Sequence, residues 1–134
     1  EALPLLLTLS SGVKGFTTIH AGSARQALTR LRFICQLAET SNELSAAALS
    51  GLVTEAIDLV VHSERTVCGP RVTSIVAVED QLGGDGAFTT TEVFTRPRSG
   101  AELVWSGQTP TRAGRAFQAA GLDLRAALDD GAAR

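Results

Sequence analysis

The spacing of apolar positions changes repeatedly along this chain, and each change marks an element. Leu3 to Leu9 form an apolar run stopped by Ser10-Ser11-Gly12, so residues 2–11 read as the end of a helix. Phe16 to His20 has the β-branched content of a short strand. Ser23 then opens a helix, with Gln26 three residues on as its capping-box partner. Ala24, Ala27, Leu28, Leu31, Ile34, Cys35 and Ala38 recur at helical spacing and predict one buried stripe, while Arg25, Arg32 and Glu39 lie off it. A second capping box, Thr40 with Glu43, predicts a helix running to about residue 56 and carrying Leu44, Ala47, Ala48, Leu52 and Ala56.

From there the pattern turns β-like. Residues 57–62 are almost continuously apolar, as in a strand covered on both faces, and Val72 to Val78 repeat the pattern after a turn over 65–70. Leu82 to Gly86 is a glycine-rich loop. Phe88 to Thr95 and Ala101 to Ser106 then predict a hairpin around residues 96–100, its Thr and Glu content implying one solvated face. Two short helices, Thr111 to Ala120 and Leu122 to Leu128, close the chain across a break at Gly121, and the last residues are expected to fray.

This order predicts an α/β domain with a mixed, partly parallel sheet, a C-terminal hairpin edge and helices against its faces. A chain of 134 residues, 44% apolar and 19% charged, fits one domain with a real core, and residues 107–134 form its helical tail. A net charge of −2 leaves no electrostatic footprint for nucleic acid, so no direct nucleic-acid partner is expected. Leu3 to Leu9 is too short to span a bilayer and has no basic flank, so neither a signal peptide nor a membrane span is expected. Cys35 on an apolar helix face and Cys68 in a Cys-Gly-Pro turn share no ligand spacing, which predicts a reduced, cytoplasmic chain with no metal site of its own. Methionine is absent, and the chain is read as part of a longer protein whose missing part lies upstream.

The first candidate for chemistry is His20, at the exit of the predicted strand. It could contact an anionic ligand there, or be a histidine hydrogen-bonded at a strand end; position alone favours the second. Thr17 and Thr18 could orient it or bind phosphate oxygens, or be present because threonine suits strands. Arg25 and Arg30 on the next helix could reach a phosphate bidentately, or belong to a solvated face or a subunit contact. His62, Ser63 and Glu64 are sequence neighbours whose side chains alternate across a strand, so a nucleophile–base pair is not expected there. The chain contains no G-x-x-x-x-G-K-[ST], G-x-G-x-x-G, H-E-x-x-H or G-x-S-x-G pattern, and Gly83-Gly84-Asp85-Gly86 reads as a turn.

Ser11-Gly12-Val13-Lys14-Gly15-Phe16-Thr17-Thr18-Ile19-His20-Ala21, with Ala27-Leu28-Thr29-Arg30-Leu31, resembles the histidine box of the type II/type IV secretion ATPases, in particular the CpaF-like ATPases of Tad (Flp) pilus assembly. The resemblance continues through Glu1-Ala2-Leu3, residues 55–61, Arg71-Val72-Thr73-Ser74-Ile75, Val93-Phe94 and Phe117-Gln118-Ala119-Ala120-Gly121. It implies the C-terminal portion of a RecA-like P-loop NTPase domain. The parent would be a hexameric motor, peripheral on the cytoplasmic side of the inner membrane, that binds ATP and Mg2+ and works on a membrane platform protein. In that setting His20 would sense the γ-phosphate, with Thr17, Thr18, Arg25 and Arg30 as nucleotide contacts. Two departures stand out: Val13-Lys14 replaces the family's His-Asp, and Gly22 replaces a common asparagine. The P-loop and magnesium-binding motifs lie outside these residues, so the chain alone is expected to be inactive. A non-catalytic module docking on a full motor ring and a motor of conjugative DNA transfer are the alternatives.

Overall fold

The computed structural model describes residues 2–38, 44–98 and 101–132. Its elements run α1 (Ala2–Ser10), α2 (Ala24–Ala38), α3 (Ala46–Ala56), β1 (Leu59–Thr66), β2 (Gly69–Leu82), β3 (Phe88–Thr95), β4 (Val104–Trp105), α4 (Thr111–Ala119) and α5 (Leu124–Ala132). Two compact units result: residues 1–58 with 80–89, and residues 59–79 with 90–134.

In the first unit α1, α2 and α3 pack on one another. Leu6, Leu28, Cys35, Leu49 and Val53 are almost wholly removed from water, each apolar side chain contributing roughly 1.5–3 kcal/mol by burial. Helix α1 stops where Ser10-Ser11-Gly12 predicts: the Ser11 and Gly12 amides donate to Leu7 and Leu9 carbonyls, and Gly12 takes φ +96°. Helix α2 buries five of its predicted stripe residues, Ala24, Ala27, Leu28, Leu31 and Cys35, but leaves Ile34 and Ala38 outside.

Two expectations for this unit need correction, and a third falls outside the described residues. Phe16–His20 is not a strand: it is irregular, with Phe16 fully exposed. Strand composition forms a strand only when a neighbouring edge satisfies its backbone, and no described strand pairs with this segment. Helix α3 is capped by Ser45, whose hydroxyl accepts from the Ala48 amide, while the predicted Thr40–Glu43 box lies outside the described residues. Its buried residues are Leu49, Ser50, Val53 and Thr54, not the predicted set. In an alanine-rich helix small residues occupy several faces, so the apolar pattern leaves the rotation of the helix open.

The four strands form one sheet in the order β1-β2-β3-β4. The sheet is antiparallel, which overturns the expected partly parallel core. The reason is local: only Val67 and Cys68 separate β1 from β2, and a parallel pair needs a crossover of about a dozen residues. β1 also alternates, with Leu59 and Val61 exposed and Val60 and His62 half-buried, so it is covered on one face rather than two. The C-terminal hairpin is present, Phe94 facing Trp105 and Thr95 facing Val104, but its second strand is only Val104–Trp105 where Ala101–Ser106 was expected. The two closing helices are present too, the second running Leu124–Ala132 rather than Leu122–Leu128, with Asp123 capping it through the Arg125 and Ala126 amides.

The C-terminal helices are tied to the sheet by one carboxylate. Glu79 is only 8% exposed. Its oxygens accept from the Thr91 hydroxyl at 2.6 Å, the Thr111 amide at 3.0 Å and the Arg112 amide at 2.9 Å. Helix α4 has no side-chain cap of its own, because Pro110 occupies that place, so Glu79 serves as its cap from 32 residues away. Burial pushes the Glu79 carboxyl up. The hydrogen bonds from Thr91, Arg112 and Thr111 and the charge of Arg115 outweigh burial and hold it below the usual carboxylate range. A lowered folded pKa stabilises the fold above the unfolded glutamate value of about 4.3, and this contribution disappears as pH falls through the lower folded value. Glu79→Ala is therefore expected to cost about 1–3 kcal/mol at pH 7 in urea unfolding, and the difference from the parent is expected to shrink below pH 4.

Candidate functional site

The segment before α2 and the outer face of α2 together make an open groove of about 630 Å³. Two hydrogen bonds set its entrance. The Ser23 hydroxyl accepts from the Gln26 amide at 3.2 Å, and the Gln26 side chain accepts from the Gly22 amide, also at 3.2 Å. The predicted capping box thus forms with its return bond one residue earlier, on Gly22 rather than Ser23. This turn places His20 and Ala21 against the first turn of the helix.

His20, Arg25, Gln26, Arg30, Arg32 and Phe33 contribute to the lining, and every lining residue lies between positions 20 and 36. The groove therefore has a single wall. No Asp or Glu occurs anywhere from Ala2 to Ala38, so none of the cations of this stretch has an acid close by in sequence. Two of the cations are committed. Arg25 donates to the Phe88 carbonyl at 3.1 Å. Arg32 donates to the Ser50 hydroxyl at 3.1 Å and lies 5.8 Å from the centre of the Phe88 ring. The side chains of His20 and Arg30 have no hydrogen-bond or ion-pair partner among the described residues.

The sequence-predicted residues thus separate into two groups. His20, Arg25 and Arg30 meet in the groove, whereas Thr17 and Thr18 are exposed on the irregular segment and do not line it. Arg32, Gln26 and Phe33 were not singled out from the sequence. The signal was present: 25, 29, 32 and 36 repeat at three- and four-residue steps on the face opposite the buried stripe. Lys14, in the turn where the resemblance departs, lies 3.9 Å from Asp58, an exposed pair of little energetic weight.

Elsewhere the chemistry is structural. His62 Nδ1 lies 2.8 Å from the Thr73 hydroxyl and 3.7 Å from a Glu64 carboxylate oxygen. Both of these partners address the same ring nitrogen. His62 and Glu64 are two residues apart on β1 and so share one face of the strand, while the register shift opposite them leaves Thr73 as the extra residue of β2. Cys35 is buried and Cys68 exposed, both as free thiols. Among the described residues no cluster of His, Cys, Asp and Glu could hold a metal ion, and no helix is long and apolar enough to cross a membrane.

No protein-family model matches this chain, and no characterised protein does.

The groove's cations are expected to differ in what they do for stability. Arg30→Ala should change urea-unfolding free energy by no more than about 0.5 kcal/mol, because the side chain is exposed and unpartnered. Arg32→Ala should cost about 1–3 kcal/mol, because it leaves the fully buried Ser50 hydroxyl unpaired.

Proposed function

We propose that this chain is the C-terminal part of the motor domain of a secretion or pilus-assembly ATPase, CpaF-like, with a RecA-like fold in the parent protein. His20 is its sensor of the γ-phosphate. The observation that carries this reading is the groove. Three of the residues the motif assigns to nucleotide, His20, Arg25 and Arg30, line one acid-free surface, and two of them are uncommitted.

The residues present fit a phosphate. Arg30 offers a planar fork of donors and His20 a ring N–H, the groups that recognise equatorial phosphate oxygens. Phosphoryl transfer is mainly positioning and charge stabilisation, which is chemistry these side chains can supply. The residues lining the groove include no carboxylate, so Mg2+ would be held by other residues of the parent. Phe16–Ile19 supports the same view, because a segment of strand composition without a strand partner fits a sheet completed by residues outside this chain. In the parent, ATP supplies the transferable phosphoryl group. His20 and Arg30 would contact its phosphate end, and the ring would pass force to a platform protein at the inner face of the cytoplasmic membrane.

A docking module without catalysis is the second reading. It is favoured by the apolar part of the α2 outer face, where Phe33 and Leu37 are both more than half exposed.

Two measurements test the proposal. In the protein containing the upstream P-loop, His20→Ala is expected to lower ATP turnover at least tenfold, about 1.4 kcal/mol of barrier, with assembly and nucleotide binding near normal. Unchanged turnover in an assembled ring would reduce His20 to a structural residue. For the 134-residue chain by itself, calorimetry is expected to show no saturable ATP binding at micromolar concentration, and tight binding would overturn the half-domain reading.

A further inference from the structure

Beyond His20 and Arg30 the groove continues along α2 to a phenylalanine and a glutamine. Arg30, Phe33 and Gln36 follow one another at three-residue steps, the spacing of an inclined row on a helix surface, and all three line the groove. Phe33 is 56% exposed, and its ring meets no aromatic or cationic group among the described residues. That sets it apart from Phe88, a buried ring with Arg32 over it. Phe33 is not needed by the core either, because the buried stripe of α2 runs through Leu28, Leu31 and Cys35. Gln36 is exposed, and its side chain has no hydrogen-bond partner among the described residues. From the capped end of α2 onwards, the lining thus presents an imidazole, a guanidinium, a half-exposed ring and a primary amide.

That order matches the order of groups in a nucleotide. Arg30 to Gln36 spans about 9 Å of helix at roughly 1.5 Å per residue, comparable to the reach from a phosphate to the far edge of its base. A ring with an open face offers any base a surface to stack on. An amide side chain carries an acceptor and a donor side by side, which match the N6 amino group and the N7 acceptor of adenine. Guanine presents acceptors at both O6 and N7 on the same edge, so the amide oxygen finds no donor there.

We propose that the far half of the groove reads a base. With the phosphates on His20 and Arg30, the ring of Phe33 stacks on the base and the Gln36 amide selects adenine over guanine. The ligand class is an adenine nucleotide. This inference rests on the phosphate-site reading of His20 and Arg30 and adds to it the residues that hold the other end of the nucleotide. Phe33 and Gln36 lie away from the phosphate end, so they set affinity and base choice rather than phosphate chemistry.

The test is an NMR titration of the 134-residue chain with ATP, GTP and inorganic tripolyphosphate, followed at the ring resonances of His20 and Phe33. It is carried into the millimolar range, because a groove with one wall holds its ligand weakly. ATP is expected to shift both rings, and tripolyphosphate His20 alone. Phe33→Leu is expected to weaken ATP about tenfold and to leave tripolyphosphate unchanged, whereas Phe33→Trp keeps the affinity for ATP, because stacking needs a ring. The unsubstituted chain is expected to prefer ATP to GTP about fivefold, and Gln36→Ala to lose that preference. Phe33 and Gln36 are both exposed, so these variants keep the fold. If ATP and tripolyphosphate both shift His20 while the Phe33 ring does not respond, the base reading is overturned and the phosphate site stands. Phe33→Leu binding ATP as tightly as the unsubstituted chain overturns it as well. Equal affinities for ATP and GTP in the unsubstituted chain overturn the selection of adenine. If no ligand of the three moves the His20 resonances, the phosphate site and the base reading fall together.

Discussion

The last third of the chain depends on one carboxylate. Helix α4 begins at Thr111 after a proline, with no side chain of its own to meet its first amides. Glu79, near the far end of β2, meets two of them and uses the Thr91 hydroxyl as a further donor. A charged acceptor at a helix N-terminus gains from both the hydrogen bonds and the helix dipole, which is why a side chain this buried remains ionised. The consequence reaches further along the chain. Helix α5 packs on α4 and on β4, with Arg125 lying 5.9 Å from the centre of the Trp105 ring, so the position of α5 follows from the position of α4.

The helical unit uses the complementary device. There the fixed point is a phenylalanine, and the groups that hold it are cations. Phe88 presents a carbonyl to Arg25 and a ring face to Arg32. Glu79 and Phe88 lie on adjacent strands of one hairpin, so β2 and β3 carry the polar anchor of each unit.

What the sequence made legible follows from the range of the interactions involved. The stop of α1 at Gly12, the buried face of α2, the span of β3 and the break at Gly121 are all set by residues within a turn or two of one another, and each was readable. The rest was set at a distance. Glu79 carries no signal in the sequence, because the helix it caps begins 32 residues later. The antiparallel pairing of β1 and β2 was hidden because Ile57 to Val61 is apolar enough to suit a strand covered on both faces, although Leu59 and Val61 face water. In α3, Leu49 and Val53 were passed over because Ala47 and Ala48 offered an equally good stripe. For the site, the motif picked out His20, Arg25 and Arg30, which the groove brings together, but also Thr17 and Thr18, which it does not. The threonines depended on a strand that needed a partner to exist.

The single wall of the groove sets a limit on its chemistry. Attraction between an exposed guanidinium and a phosphate is weak in water and falls further within a screening length of about 8 Å at physiological salt. Strong stabilisation of a transferring phosphoryl group needs the same donors in a site from which water is excluded. On a single open wall, His20 and Arg30 cannot lower a barrier of many kcal/mol on their own. In the proposed parent, the second wall would come from the phosphate-cradling part of the motor, and closing it would raise the effective strength of every cation in the groove at once.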